Sequence, residues 1–219
     1  MDEEPFDLEL EAFRASGVGD RYIAHYQHLF NELQRTLLDQ VILSDDPFMR
    51  AKQVFDWLWQ EKPNRYQPKS HYKLSDMIET QLSKENRAVG NCLGLTILYN
   101  CFLRRIGVHV KALQLEYAFG IGPHVLSLLP GGYSDLHIEN ILKQGFDYKG
   151  HLNNPSGTKW GDREIVADIY HSVGNQLFEK GDLMGALRNY EKAVSLNPDY
   201  EKALLNKAIL VDKLSRNSR

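Results

Sequence analysis

Cys92 stands directly after Gly90 and Asn91 and opens an apolar, helix-like run in the stretch RAVGNCLGLTILYNCFLRRIGVHVKA. A thiol attacks as its thiolate, and its free pKa of about 8.5 falls at a helix amino terminus or beside an imidazolium. Asn91 is suited to cap that terminus, and Gly90 allows the backbone to be approached closely. The N–H groups of the first turn can also receive a developing oxyanion. Such a nucleophile needs a base. Among the eight histidines, His124 is best placed, because it heads a β-rich run after FGIGP, downstream of the helix that carries Cys92. A strand that follows a helix can return its first residue to the helix start. The base in turn needs a carboxylate to orient it. In SDLHIENI, alternation puts Asp135, His137 and Glu139 on one face and Leu136 and Ile138 on the other. Asp135 or Glu139 can therefore serve, and His137 is read as solvated.

Cys101 lies nine positions beyond Cys92, nearly opposite it on a helix at roughly 100° per residue, and is assigned to the core. Two cysteines are too few for a disulfide framework, and both are free thiols in a reducing compartment. No paired-ligand spacing supports a zinc site built from Cys92, His124 and His137, so neither metal nor cofactor is expected. Tyr66, Trp57 and Trp59 are read as core aromatics.

The elements that must position these residues follow from periodicity. Residues 6 to 83 read mainly as helix. In RYIAHYQHLFNELQRTLLDQVIL the residues Ile23, Tyr26, Phe30, Leu33, Leu37 and Val41 form an amphipathic stripe. DPFMRAKQVFDWLWQEK is a second helix, capped by Asp46, begun by Pro47 and ended by Pro63. LSDMIETQLSKENRA follows a loop, with Ser75 and Asp76 able to cap its start. Leu95, Leu98, Phe102 and Ile106 place a helix from Asn91 to about Ile106, and Gly107 stops it. The pattern then changes: VHVKALQLEYAF and HVLSLL are β-rich, PGGYS is a turn, and DLHIENI alternates. Residues 143 to 161, rich in Gly, Asn, Pro and Ser, read as a connection. A helix followed by antiparallel strands predicts an α+β domain.

Beyond that connection everything reads as helix. YHSVGNQLFEKGDLMGALRNYEKAVSLNP resembles the tetratricopeptide repeat position by position. Tyr170, Val173, Gly174 and Leu177 fill the first helix, and Ala186, Tyr190, Ala193 and Pro198 the second helix and its end. Gly174 and Ala186 let the two helices approach closely. EKALLNKAILVDKLSR resembles the first helix of a further repeat. One and a half repeats are short for a concave peptide groove, so packing or docking is expected, with the preceding domain standing in as neighbour. Binding of a partner protein is the functional alternative.

The bulk numbers mainly exclude. At 219 residues the chain can hold one medium domain and a small one, expected at 1–160 and 161–219. A net charge of −3 gives no electrostatic reason for nucleic acid or an anionic membrane as partner. No apolar run approaches the ~20 residues of a membrane span. The start, MDEEPFDLELEAF, is acidic where a signal peptide is basic and then apolar. The expectation is a cytoplasmic protein that contacts neither membrane nor nucleic acid.

GNCLGLTILYNCFLRRIGVHVKAL, taken with GPHVLSLLPGGYSDLHIENI, resembles the papain-like transglutaminase-like superfamily over roughly residues 45 to 150. It is most similar to the bacterial branch in which that core precedes tetratricopeptide repeats. The resemblance implies an α+β papain-like core of helices plus antiparallel sheet, followed by an all-α segment. By position it implies Cys92 as nucleophile and His124 as general base. The superfamily's acid is usually aspartate, with glutamate in some bacterial relatives; HIEN matches best, which makes Glu139 the first choice and Asp135 the second. The implied chemistry is acyl transfer on a protein or peptide substrate: hydrolysis, deamidation or transglutamination. The alternative is a catalytically inactive scaffold that keeps this fold and binds a partner protein through its repeat helices.

Overall fold

The computed structural model describes residues 6–217 apart from Ser70, Asn86, Ile121, Tyr133 and Pro155. The acidic residues 1–5 and Tyr133 of the PGGYS turn therefore lie outside the described residues. Four helices come first: α1 (Leu8–Ala15), α2 (Asp20–Gln40), α3 (Pro47–Glu61) and α4 (Leu74–Leu82). Ile23, Phe30, Leu33 and Leu37 form the buried stripe of α2, with Tyr26 and Val41 at its margins. Asp46 accepts the Phe48 N–H at 3.2 Å, and Pro47 fills the first position of α3, where no N–H is needed. Trp57 and Trp59 are buried in the core, with Tyr66 packed against it.

The start of α4 differs from expectation. Ser75 and Asp76 lie inside the helix, and the orphan N–H of Leu74 is taken instead by Ser16 Oγ at 2.9 Å. Ser16 Oγ also donates to Ala12 O at 2.7 Å, so one buried hydroxyl joins the end of α1 to the start of α4. A helix end needs a partner for its free N–H groups, and here that partner comes from distant sequence.

Helix α5 (Cys92–Arg105) is buried from Leu93 to Leu103 and is the hub of the molecule. Helices α1, α3 and α4 pack around it, and strand β2 (Gly122–Leu129) covers another side. With β1 (Lys111–Ala118), β3 (Leu136–Ile138) and β4 (Gly157–Trp160), β2 forms an antiparallel sheet in the order β3-β2-β1-β4. Strand β4 lies in the stretch expected to be a connection and pairs Ala112 with Trp160. The alternating run after the turn yields only three strand residues. After Ile138 the chain folds back: Glu139 N–H donates to Gly145 O at 2.8 Å, and Ile138 bridges to Phe146. That turn requires glycine, since a Cβ on Gly145 would lie 1.9 Å from Glu139 O.

Helices α6 (Asp162–Glu179), α7 (Leu183–Leu196) and α8 (Glu201–Asn217) complete the chain's described elements. Tyr190 packs on Gly174, where a Cβ would meet its ring at 2.5 Å, the close approach that the glycine predicts. The first half of α6 precedes the repeat pattern. Its Ile165, Val166, Ala167 and Ile169 belong to the same core as α1 and α5. That core runs on through Trp160 to Ala193, Tyr200 and Ala203, so packing is continuous across the expected boundary at 160/161. The class is α+β: helices, a small antiparallel sheet and C-terminal helices of tetratricopeptide form. Among the described residues no helix is long and apolar enough to cross a membrane.

Candidate functional site

Cys92 occupies the first position of α5. Asn91 Oδ1 accepts the Gly94 N–H at 3.0 Å, and Asn91 N–H donates to His71 O at 2.9 Å. The flanking glycines permit this crowding. A Cβ on Gly94 would lie 2.7 Å from both His71 O and Met77 Sδ, and one on Gly90 2.4 Å from Met77 Sδ. Upstream, Gly90 bridges to Tyr66, and Gln67 N–H donates to Gly90 O at 3.1 Å. Cys92 is half-buried; Cys101 is in the core, where burial pushes its thiol well up.

A buried polar network sets α5 against the sheet. Cys92, Thr96 and Asn100 recur at four-residue intervals and so share one face of the helix. Thr96 Oγ1 donates to Val125 O at 3.2 Å, and Ser127 Oγ to Asn100 Oδ1 at 2.6 Å. Asn140 Nδ2 donates to Ser127 Oγ at 2.8 Å and to Thr96 Oγ1 at 3.3 Å. Polar groups that satisfy one another out of water hold one geometry firmly. Here they tie together the helix bearing Cys92, the strand bearing His124 and the turn bearing Glu139.

His124 and Glu139 meet inside this frame. His124 Nε2 donates to Glu139 Oε2 at 2.8 Å, with the side chains 1% and 0% exposed. Cys92 interacts with the same ring and, like Glu139, raises its pKa. Burial alone would lower the pKa of His124; its interactions with Cys92 and Glu139 outweigh it and hold the ring at about 9. Burial would likewise raise Glu139, but hydrogen bonds from His124 and His151 keep its carboxyl below the ordinary range.

His151 is the residue that sequence reasoning missed. Its Nε2 donates to the same Glu139 Oε2 at 3.1 Å. It sits in the stretch expected to be a connection, where a lone histidine among glycines and asparagines carries no periodic signal. Phe119 was missed as well. It adopts φ 52°, uncommon for a side chain of this bulk, and its ring stands edge-on to His124 at 5.3 Å and His151 at 4.9 Å.

The remaining candidates fall elsewhere. Asp135 Oδ2 accepts from Lys159 Nζ at 2.6 Å, so its carboxylate is engaged by β4. His137 is half-buried where a solvated ring is expected; burial lowers its pKa, and its buried Nδ1 has no hydrogen-bond partner among the described residues. The donors of Cys92, His124 and His137 are not the ones that converge; a different grouping, which keeps only His124, does. Donor atoms of His124, Glu139 and His151 lie within 4.8 Å of one another, a spacing that could hold a metal ion. Their N···O separations of 2.8 and 3.1 Å are hydrogen-bond lengths, which a proton on each nitrogen satisfies.

A cavity of about 290 Å³ opens over Cys92 and His124. Gln114 and Pro123 line one side, and Asp168 and His171 of α6, with Tyr200 from the turn before α8, the other.

A family model described as "TPR repeat" matches residues 174–214. "Tetratricopeptide repeat protein 8" of Caenorhabditis elegans is 36% identical over 47 residues, 22% of this chain and 9% of that protein. An uncharacterized protein of Methanocaldococcus jannaschii is 40% identical over 50 residues, 23% of this chain and 58% of its own length. The matched segments therefore cover less than two thirds of either relative. No solved structure matches. The chain thus carries a tetratricopeptide repeat, formed by the second half of α6 with α7 and α8.

Proposed function

We propose that the chain is a cysteine-dependent acyl-transfer enzyme on a papain-like, transglutaminase-like core, acting on an amide of a protein or peptide. The observation that carries this reading is the buried His124–Glu139 pair, whose ring lines one open cavity together with a half-buried thiol at a helix start and is raised in pKa by it. An imidazolium next to a thiol is the arrangement in which thiolate is the attacking species. Cys92 sulfur bonds to the carbonyl carbon, and the N–H groups at the start of α5 receive the oxyanion. The C–N bond breaks as His124 delivers its proton to the leaving amine or ammonia. Water or a second amine, deprotonated by His124, then attacks the thioester and releases Cys92. Glu139 holds the ring orientation throughout, and His151 holds Glu139.

A second reading is a scaffold that binds a partner protein. The tetratricopeptide match supports it, since such repeats generally mediate protein interactions. So do Leu204, Leu205, Ile209 and Val211, which stand exposed on α8.

Alkylation by iodoacetamide at graded pH separates the two. In the enzyme, Cys92 reacts much faster than Cys101 near neutral pH, and His124→Ala removes the advantage. A Cys92 as sluggish as Cys101, or indifferent to His124→Ala, leaves the scaffold.

A further inference from the structure

The geometry points to a binding channel for the acyl donor between the sheet and the repeat helices, shaped for an extended peptide with a basic side chain near the carbonyl that Cys92 attacks. This rests on Cys92 being the attacking thiol. The cavity over Cys92 and His124 shares Gln114, Trp160, Tyr200 and Lys202 with a second cavity of about 190 Å³. Together they form one groove, running from the thiol along β1 and β4 to the α7–α8 turn. Trp160 and Tyr200, which line both cavities, meet edge-on at 5.6 Å and tie the sheet to the α7–α8 turn.

Charge gives the groove its selectivity. Glu116, Asp168, Asp199 and Glu201 line it against one ammonium among the described residues, Lys202. Asp168 shares the thiol's own cavity, and its side chain is only 20% exposed. Tyr200 Oη donates to Asp168 Oδ1 at 2.5 Å, and His171 lies 3.8 Å away. That carboxylate is fixed and partly withdrawn from water, which strengthens its hold on a cation. Glu116, Asp199 and Glu201 form no ion pair with a basic side chain among the described residues, so their field is available to an incoming chain. The repeat would then act as one wall of the active-site cleft, and Asp168 as a specificity-determining residue.

The test uses the full chain and two probes. The first is a pair of methanethiosulfonates of similar size, one bearing trimethylammonium and one sulfonate. Cys92 sulfur attacks the reagent's divalent sulfur, a disulfide forms and methanesulfinate leaves. Rates at Cys92 are read by peptide mass spectrometry and divided by those of a small free thiol. The cation should be favoured by about tenfold at low salt. Asp168→Asn, which keeps an acceptor for Tyr200, and the exposed Glu116→Gln should each reduce that preference. The second probe is a pair of fluorescein-labelled hexapeptide amides containing lysine or glutamate, titrated by anisotropy into the Cys92→Ala protein. The lysine peptide should bind about tenfold tighter, with the difference shrinking as salt rises. Equal rates for the two reagents, equal binding of the two peptides, or preferences indifferent to both substitutions would overturn the channel. Loss of the catalytic reading is seen separately, as alkylation indifferent to His124→Ala.

Discussion

His124 and Glu139 face each other across 2.8 Å with both side chains sealed from solvent. Two opposite charges out of water are tolerable only while each has its partner. Glu139 has two, since His124 and His151 both donate to one of its oxygens. Removing the carboxylate strands a cationic ring. Glu139→Gln should therefore cost about 3 kcal/mol of stability in urea unfolding. It should also slow Cys92 alkylation near pH 7 by about tenfold or more. Asp135→Asn breaks only an exposed pair with Lys159 and should change either quantity by about twofold or less. The reverse ranking would identify Asp135 as the orienting acid.

The same pair sets a pH dependence of stability. His124 is held at about 9 against its ordinary 6.5, so the folded chain binds that proton more tightly than the unfolded one. Its contribution is complete below pH 6.5 and is lost as pH rises toward 9. Glu139, held below its ordinary 4.5, contributes above pH 4.5 and loses that contribution as acid protonates the folded state. Between pH 6.5 and 9 the melting temperature of the unmodified chain should fall by several degrees more than that of His124→Gln. Parallel melting curves would show that the ring is not held by this pair.

Gly94 lies in the first turn of the thiol's helix, where α4 and the loop before α4 press closest. Gly94→Ala puts a methyl 2.7 Å from His71 O and Met77 Sδ. Because the carbonyl is backbone, the loop rather than one side chain must move. The cost should be about 1 to 3 kcal/mol in chemical denaturation. A neutral substitution would mean that this segment is looser than its contacts imply.

Ser16→Ala tests the long-range cap. The substitution removes the acceptor of the Leu74 N–H and should destabilise the chain by about 1 to 2 kcal/mol. Hydrogen exchange at Leu74 should accelerate at the same time. Unchanged exchange would show that another group takes up this N–H.

Local signals carried much of this structure. Asn91 caps α5, Asp46 and Pro47 start α3, and the close approach at Gly174 each follow from residues within one turn of the event they cause. What was illegible depends on distant partners. Strand β4 has four residues and pairs with β1 across some forty positions, so neither length nor alternation announces it. His151 reaches Glu139 only because the chain reverses at Gly145, and nothing near residue 151 encodes that meeting. Alternation around Glu139 suggested a longer strand, but the backbone bond from Glu139 to Gly145 drew the chain away from its neighbour. The candidate acid was legible as one of two carboxylates. The choice between them became physical only once Lys159 was seen to occupy Asp135.

Because the first half of α6 is bedded in the same apolar interior as α1 and α5, the C-terminal helices cannot be treated as an interchangeable cassette. A chimera joined at Gly161 would discard Ile165, Val166 and Ile169, leave Trp160 without Tyr200, and strip Arg104 of its bidentate bond to Asp162. Any transplant of a foreign repeat would have to keep the native helix through Ile169 before the graft begins.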